Sequence, residues 1–320
     1  MDYEQFVEKF LDEMKQNMKD ENVELHRLEV QKVNEKLDGV SIRYPDSPVA
    51  PTIYLESKYQ MYQDGYTVEE IAESTTKQLE QIRKDTPAMP NLSPESARKN
   101  LYCAVVNAED NKELLKNIPH EKVEDLAVIV RFKVGEDGSC IVSNDMCKHL
   151  RMTSEEIMEQ AHTNTSKQQY ECRNMNEVMK EIMVAQGMPE EYVNEMIQSQ
   201  GEGCPLYVLT NQSRVDGAVA MADKKALEKA CEQIGEDYYI LPSSRHEVLL
   251  IPSSFVTDVK DLKDMVEQVN STEVSKADKL SDHVYKYDSL NKKLSMADAP
   301  AMSESNSMAT ELLKSHAKSH

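Results

Sequence analysis

Hydrophobic side chains recur at helical spacing at the start of the chain and at two-residue spacing soon after. Residues 2–20 place their apolar side chains on one side of a helix, at Tyr3, Phe6, Val7, Phe10, Leu11, Met14 and Met18. The segments 23–33 and 39–44 alternate apolar and polar residues, which predicts two pairing strands. A second amphipathic helix is predicted over 68–84, behind a capping-box pattern.

Short apolar runs dominate the rest of the chain. LAVIVRFKV (126–134) and SCIVS (139–143) predict a hairpin, and helices are predicted at 224–234 and 258–270. Further strands are predicted at 101–107, 206–211, 217–222, 238–244, 246–254 and 284–288. Strands and helices do not alternate as regular βαβ units. We therefore expect an α+β fold with a mixed or antiparallel sheet and flanking helices.

Changes in composition suggest how the chain is divided. The proline-rich segment 86–94 predicts a joint after an N-terminal helix/strand module at 1–90. An α+β core is expected over 91–290, with a helical insertion at 163–203. Residues 291–320 are rich in Ser, Lys, Met and Ala without any period, which predicts a flexible, disordered C-terminal tail.

Charge narrows the range of functions. The 320 residues carry 37 basic and 57 acidic side chains, a net charge of −20. Direct nucleic-acid binding needs a basic surface, and an anionic membrane would repel this chain, so neither partner is expected. The N-terminus has acids where a signal peptide is basic, which favours a cytoplasmic location. An alternative function for a chain of this charge is to mimic nucleic acid and occupy a basic partner.

The scarce glycines and scattered cysteines exclude several kinds of site. Nine glycines form no phosphate-binding or dinucleotide-binding motif, so no cofactor is expected. The six cysteines contain no C-x-x-C pair and favour reduced, mostly buried thiols. No standard metal-ligand spacing is present, so no metal site is expected.

The richest polar run lies between two predicted strands, at Ser243, Ser244, Arg245, His246 and Glu247. A serine/histidine hydrolase would use a serine as nucleophile and His246 as base, with an acid from elsewhere in the chain. The alternatives are a turn whose serine hydroxyls satisfy backbone groups, or a binding site that uses Arg245 and His246.

Four more residues are candidates for a binding site. Asn211 follows a predicted strand and is also a common turn residue. Arg214 could pair with an acid or bind an anion. Asp282 and His283 resemble an acid–imidazole pair, although neighbours in sequence orient each other poorly and an aspartate here also fits a cap.

The predicted insertion is rich in methionine. Its first helix places Met175, Val178, Met179, Ile182 and Met183 on one side. A methionine stripe is either ordinary core or an adaptable binding surface. Together with the missing catalytic motifs, it favours a non-catalytic protein that binds a protein or small ligand. The oligomeric state stays open.

Five segments between residues 206 and 288 carry a family resemblance: LYVLTN, GAVAMAD, DYYILPSSRHEVLLIP, MVEQVNSTEV and LSDHVYKYD. They resemble an uncharacterised bacterial family from Firmicutes, domain of unknown function 5688. The resemblance extends less distinctly over most of residues 1–290. It implies no activity, cofactor or catalytic residue.

Overall fold

The computed structural model describes residues 1–45, 50–85, 93–134, 138–199, 205–242 and 244–298. The chain forms two compact units, one of residues 1–169 with 275–280, the other of 170–274 with the chain from 281. Strand pairs in the described residues are antiparallel, which confirms an α+β fold with antiparallel sheets. The division into 1–90, 91–290 and 291–320 stays a prediction.

The first unit begins with a three-stranded sheet in the order β1-β2-β3, packed with three helices. Asp2 and Gln5 form the capping box that starts the first helix, and its apolar side buries Phe6, Phe10 and Met14. The bounds are α1 (Tyr3–Asn17), β1 (Glu24–Lys32), β2 (Glu35–Arg43), β3 (Thr52–Tyr54), α2 (Leu55–Gln63) and α3 (Val68–Asp85).

A second sheet in this unit has β6 at its centre. β4 pairs with one side of β6, and β5 and β7 pair with successive parts of the other. The bounds are α4 (Pro94–Asn100), β4 (Leu101–Asn107), α5 (Lys112–Leu115), β5 (His120–Val123), β6 (Leu126–Val134), β7 (Gly138–Ile141), α6 (Asn144–Leu150) and α7 (Ser154–Thr165). The predicted hairpin of β6 and β7 is confirmed.

The end of α7 covers the open edge of β4. Thr165 Oγ1 accepts a hydrogen bond from the Cys103 backbone N–H at 2.8 Å, and Asn164 Nδ2 donates to the Leu101 backbone oxygen at 2.8 Å. Unpaired backbone groups on an apolar edge strand favour aggregation. These two side chains supply partners at that edge.

Two asparagines tie the β1–β2 turn to the second sheet of the unit. Asn34 has a positive φ of 62°, a conformation that asparagine tolerates better than most residues. Its backbone N–H donates to Asn111 Oδ1 at 2.7 Å, and Asn111 Nδ2 donates to Asn34 Oδ1 at 2.6 Å. The neighbouring Val33 packs into the core beside β4 and β6. The turn is therefore anchored by both a polar pair and an apolar contact.

The second unit holds a six-stranded sheet in the order β13-β12-β10-β11-β9-β8. Its core includes the buried rings of Tyr238, Tyr285 and Tyr287. The bounds are β8 (Tyr170–Asn174), α8 (Met175–Ala185), α9 (Glu190–Ser199), β9 (Tyr207–Asn211), α10 (Lys224–Ile234), β10 (Tyr238–Leu241), β11 (Val248–Pro252), α11 (Val259–Thr272), β12 (Tyr285–Asp288) and β13 (Lys293–Met296).

One strand prediction is wrong. GAVAMA forms a 3-10 helix, Gly217–Ala222, in which five consecutive residues are buried. A new strand has no place beside β9, because β9 already lies between β11 and β8. Small residues buried on every side fit a tight helical turn as readily as a strand.

Two other regions contain more structure than the sequence suggests. The predicted insertion 163–203 contains the helices α8 and α9, and it also contains β8, which pairs with β9. The strand β13 lies within the predicted tail and pairs with β12. The rest of that tail prediction, from residue 299 onward, lies outside the described residues.

Candidate functional site

The loop after β9 and the turn between β10 and β11 come together in the structure. Asn211 ends β9 and is buried, and its Nδ2 donates to the Val215 backbone oxygen at 2.9 Å. Arg214 and Asp216 both have positive φ, near 54° and 53°. Such values are costly for residues other than glycine and persist where surrounding contacts fix them. The loop is therefore held in one shape.

His246 lies at the centre of this contact. Its Nδ1 accepts the Asp216 backbone N–H at 3.2 Å, and its backbone oxygen accepts the Thr210 hydroxyl at 2.8 Å. With Nδ1 accepting, a neutral ring carries its proton on Nε2 and has no lone pair there for a general base. Ser244 Oγ accepts the His246 backbone N–H at 3.0 Å. In these contacts the side chains of Ser244 and His246 satisfy backbone groups, as they do in a structural turn.

Among the remaining side chains near this turn, Arg245 makes an ion pair and others are exposed to solvent. Arg245 places a guanidinium nitrogen 3.4 Å from Asp216 Oδ1, and that carboxylate is only 2% exposed. Arg214 and Glu247 are exposed. Ser243 lies outside the described residues. Of the predicted set, Arg245 and His246 are thus brought together at Asp216, a residue that the sequence analysis did not select.

Gly217 makes this close packing possible. A Cβ at this position would overlap Thr210 Oγ1 and the His246 backbone oxygen, and it would lie 2.9 Å from the Asn211 backbone nitrogen. Two of these three atoms are backbone and cannot rotate away. The loop and the turn therefore approach each other at a distance that only glycine permits.

Asp282 and His283 belong to a separate polar cluster. Asp282 accepts a hydrogen bond from Asn270 Nδ2 at 2.8 Å. His283 Nδ1 instead contacts Asp298 Oδ2 at 2.9 Å, and Lys263 Nζ lies 3.2 Å from the same oxygen. Sequence analysis missed Asp298 because it lies in the predicted tail. No pattern in the sequence joins residues 15 positions apart across a strand pair.

Cysteine and metal chemistry find little support in the described residues. Five described cysteines are free, and burial raises the pKa of Cys172 to about 11 and that of Cys103 to about 12. A thiol with so high a pKa is a poor nucleophile near neutral pH. In the described part of the chain, no group of three or more His, Cys, Asp and Glu side chains could hold a metal ion.

The helical hairpin of α8 and α9, residues 175–199, has a different surface; we call it the Met hairpin. No described residue of α8 is fully buried, and α9 buries only Val193. Four large apolar side chains within residues 182–192 are exposed, Ile182 by 47%, Val184 by 38%, Met188 by 40% and Tyr192 by 60%. Single exposed apolar residues are common, but a concentration of them marks an interaction surface.

The Met hairpin is also acidic. It holds five glutamates and one lysine, at Glu177, Lys180, Glu181, Glu190, Glu191 and Glu195. Glu190 pairs with Lys180 at 2.8 Å, and Glu181 pairs with Arg173 of β8. In the structure as described, the other three glutamates make no ion pair. The Met hairpin therefore combines exposed apolar side chains with a net negative charge.

Comparison with known families assigns the chain. The model of a family of unknown function, DUF5688, matches residues 3–289, so the chain belongs to that family. This confirms the family resemblance of the segments between 206 and 288. No curated protein and no solved structure matches the chain. No helix in the described ranges is long and apolar enough to cross a membrane.

Proposed function

We propose that this member of the DUF5688 family is a non-catalytic binding protein whose Met hairpin docks an apolar helix of a partner protein flanked by Lys or Arg. The observation that carries the proposal is the exposed apolar end of the hairpin, with Ile182 and Tyr192 about half exposed. Methionine-rich surfaces adapt to varied apolar partners because the side chain is unbranched and flexible.

Charge supports a basic partner over a neutral one. The Met hairpin has five acids and one lysine, and the whole chain carries −20. Opposite charge speeds association and selects against acidic competitors. A basic, amphipathic helix laid on an apolar surface is a common mode of peptide recognition. Reduced cysteines fit a cytoplasmic location, which we include in the proposal.

A defined peptide tests the proposal. The probe is a fluorescein-labelled 18-residue helix of Leu and Lys, and its counterpart carries Glu in place of Lys. Fluorescence anisotropy should show binding of the Leu/Lys peptide and much weaker binding of the Leu/Glu peptide. Ile182→Asp should weaken the first affinity by at least about tenfold, since burying such a side chain contributes roughly 1.5–3 kcal/mol.

The matched control is Phe255→Asp. Phe255 lies in the same unit, is 53% exposed, and its replacement adds the same negative charge. Non-specific attraction to an acidic protein would leave both variants binding alike, and that result would refute the proposal. Sedimentation of the protein alone is the second measurement. Self-association that Ile182→Asp abolishes would assign the surface to a second copy of the chain instead.

A further inference from the structure

Residues 312–320 have the chemistry that the Met hairpin would recognise. They read LLKSHAKSH, with Leu312 and Leu313 followed by Lys314, His316, Lys318 and His320, and they contain no acid. In a chain of net charge −20 this segment joins an apolar pair to a basic stretch. We propose that it docks on the Met hairpin of the same molecule and competes with the partner. This inference rests on the proposed function.

The apolar and charged groups of the two elements are complementary. The hairpin exposes Ile182 and Tyr192 at its end, where the two leucines would be buried. Its glutamates Glu191 and Glu195 lie on α9 and make no ion pair in the described residues, so both are available to Lys314 and Lys318. The two leucines and the two lysines of the segment thus have counterparts on the hairpin.

The length of the chain permits the contact. β13 and β8 lie at opposite ends of the six-stranded sheet, five strand spacings apart, which is roughly 24 Å. The 11 residues of α8 add at most about 16 Å to the end of the hairpin. The 14 residue steps from Asp298 to Leu312 can span about 45 Å. This exceeds the combined distance of about 40 Å, so the chain is long enough for the segment to reach the hairpin.

Tethering makes even a weak contact effective. A tether gives an effective concentration on the order of 1 mM when its average length matches the span, and a lower one when it must be nearly extended. The distance of about 40 Å is an upper bound, and at an effective concentration of about 1 mM a segment that binds with a Kd of about 100 μM when free would lower the affinity for a competing peptide by about tenfold. The segment would then act as an internal inhibitor, displaced by a partner that binds more tightly.

The test uses the full chain and the Leu/Lys peptide. Leu312→Asp/Leu313→Asp should raise the affinity for the peptide by about tenfold because the competitor is lost. Ala299→Asp/Ala301→Asp is the matched control: it adds the same charge close to the end of the described chain and removes no large side chain. Equal affinities of the two variants would overturn the inference. If the parent chain binds the peptide as proposed, that result leaves the proposed function intact.

A second measurement does not depend on the peptide. A carbodiimide that joins amines directly to carboxylates should link Lys314 or Lys318 to Glu191 or Glu195 within one molecule, as detected by mass spectrometry. The link should disappear in Leu312→Asp/Leu313→Asp and persist in the control variant Ala299→Asp/Ala301→Asp. Links only to other parts of the chain would overturn the inference. Failure of every chain to bind the peptide would instead refute the proposed function.

Discussion

Replacing Asn111 with alanine should destabilise the first unit more than its small change in size suggests. Asn111 is fully buried, and its side chain makes three hydrogen bonds: it accepts from the Asn34 backbone N–H and donates to Asn34 Oδ1 and to the Asn107 backbone oxygen. Asn111→Ala removes the hydrogen-bond partner of the Asn34 backbone N–H and of Asn34 Oδ1, and leaves both groups buried. Each such loss costs about 1–3 kcal/mol.

The expected loss is about 3 kcal/mol in the free energy of unfolding. For a cooperative unit of 150–250 residues this corresponds to a fall in Tm of about 6–12 °C. Circular dichroism during heating and in urea measures both quantities. Asn117→Ala is the matched control, because Asn117 is exposed and donates only to a backbone oxygen of its own turn. Its effect should stay within about 0.5 kcal/mol.

A double-mutant cycle separates the polar pair from other effects. Asn34→Gly removes the second side chain and keeps a residue that accepts the positive φ. Asn34→Gly, Asn111→Ala and the double variant should show a coupling of at least about 1 kcal/mol. A coupling near zero, or an Asn111→Ala variant as stable as the Asn117→Ala control, would show that the pair does not anchor the turn.

Two further predictions concern the second unit. Gly217→Ala should cost about 3 kcal/mol in stability in urea, because the new Cβ meets backbone atoms of His246 and Asn211. Gly187→Ala, at an open position with positive φ, should cost less, and equal losses would refute the close-contact argument. Burial opposes the ionisation of Asp298, but hydrogen bonds from His283 and Lys263 outweigh it and hold the pKa of Asp298 below the ordinary value of an aspartate. Its stabilisation is therefore fully present well above that ordinary pKa and is lost as pH falls through the lowered pKa. Asp298→Asn should cost about 1 kcal/mol at pH 7 and less at pH 3 in urea titrations, and a constant difference would contradict this.

Local patterns predicted the elements whose causes are local. The capping box of Thr67 and Glu70 is present, with Glu70 accepting the Thr67 backbone N–H at 2.9 Å, and α3 starts directly after it. The amphipathic helix at the start of the chain and the β6–β7 hairpin were also predicted correctly. In each case the side chains that decide the structure lie within a few residues of one another.

Elements that depend on distant residues could not be predicted. β8 is the polar run YECRN, and it becomes a strand because β9 offers it an edge. The 3-10 helix of Gly217–Ala222 forms where the sheet has no room for a strand. His283 pairs with Asp298 rather than its neighbour Asp282, through a pairing of β12 with β13 that the tail composition concealed.

The two candidate regions differ in whether their side chains already make contacts within the fold. In the loop around Asp216, side chains satisfy backbone groups of the same loop and of the facing turn, and Gly217 closes the space between them. A ligand there would have to replace contacts that hold the fold. The Met hairpin has the opposite character, since its apolar end is exposed and three of its glutamates make no ion pair within the described chain. Docking at the hairpin would bury apolar area without breaking an existing contact. The polar run that stood out in the sequence is thus engaged in contacts of the fold, whereas the apolar end of the Met hairpin is exposed, which is why we place the proposed binding there.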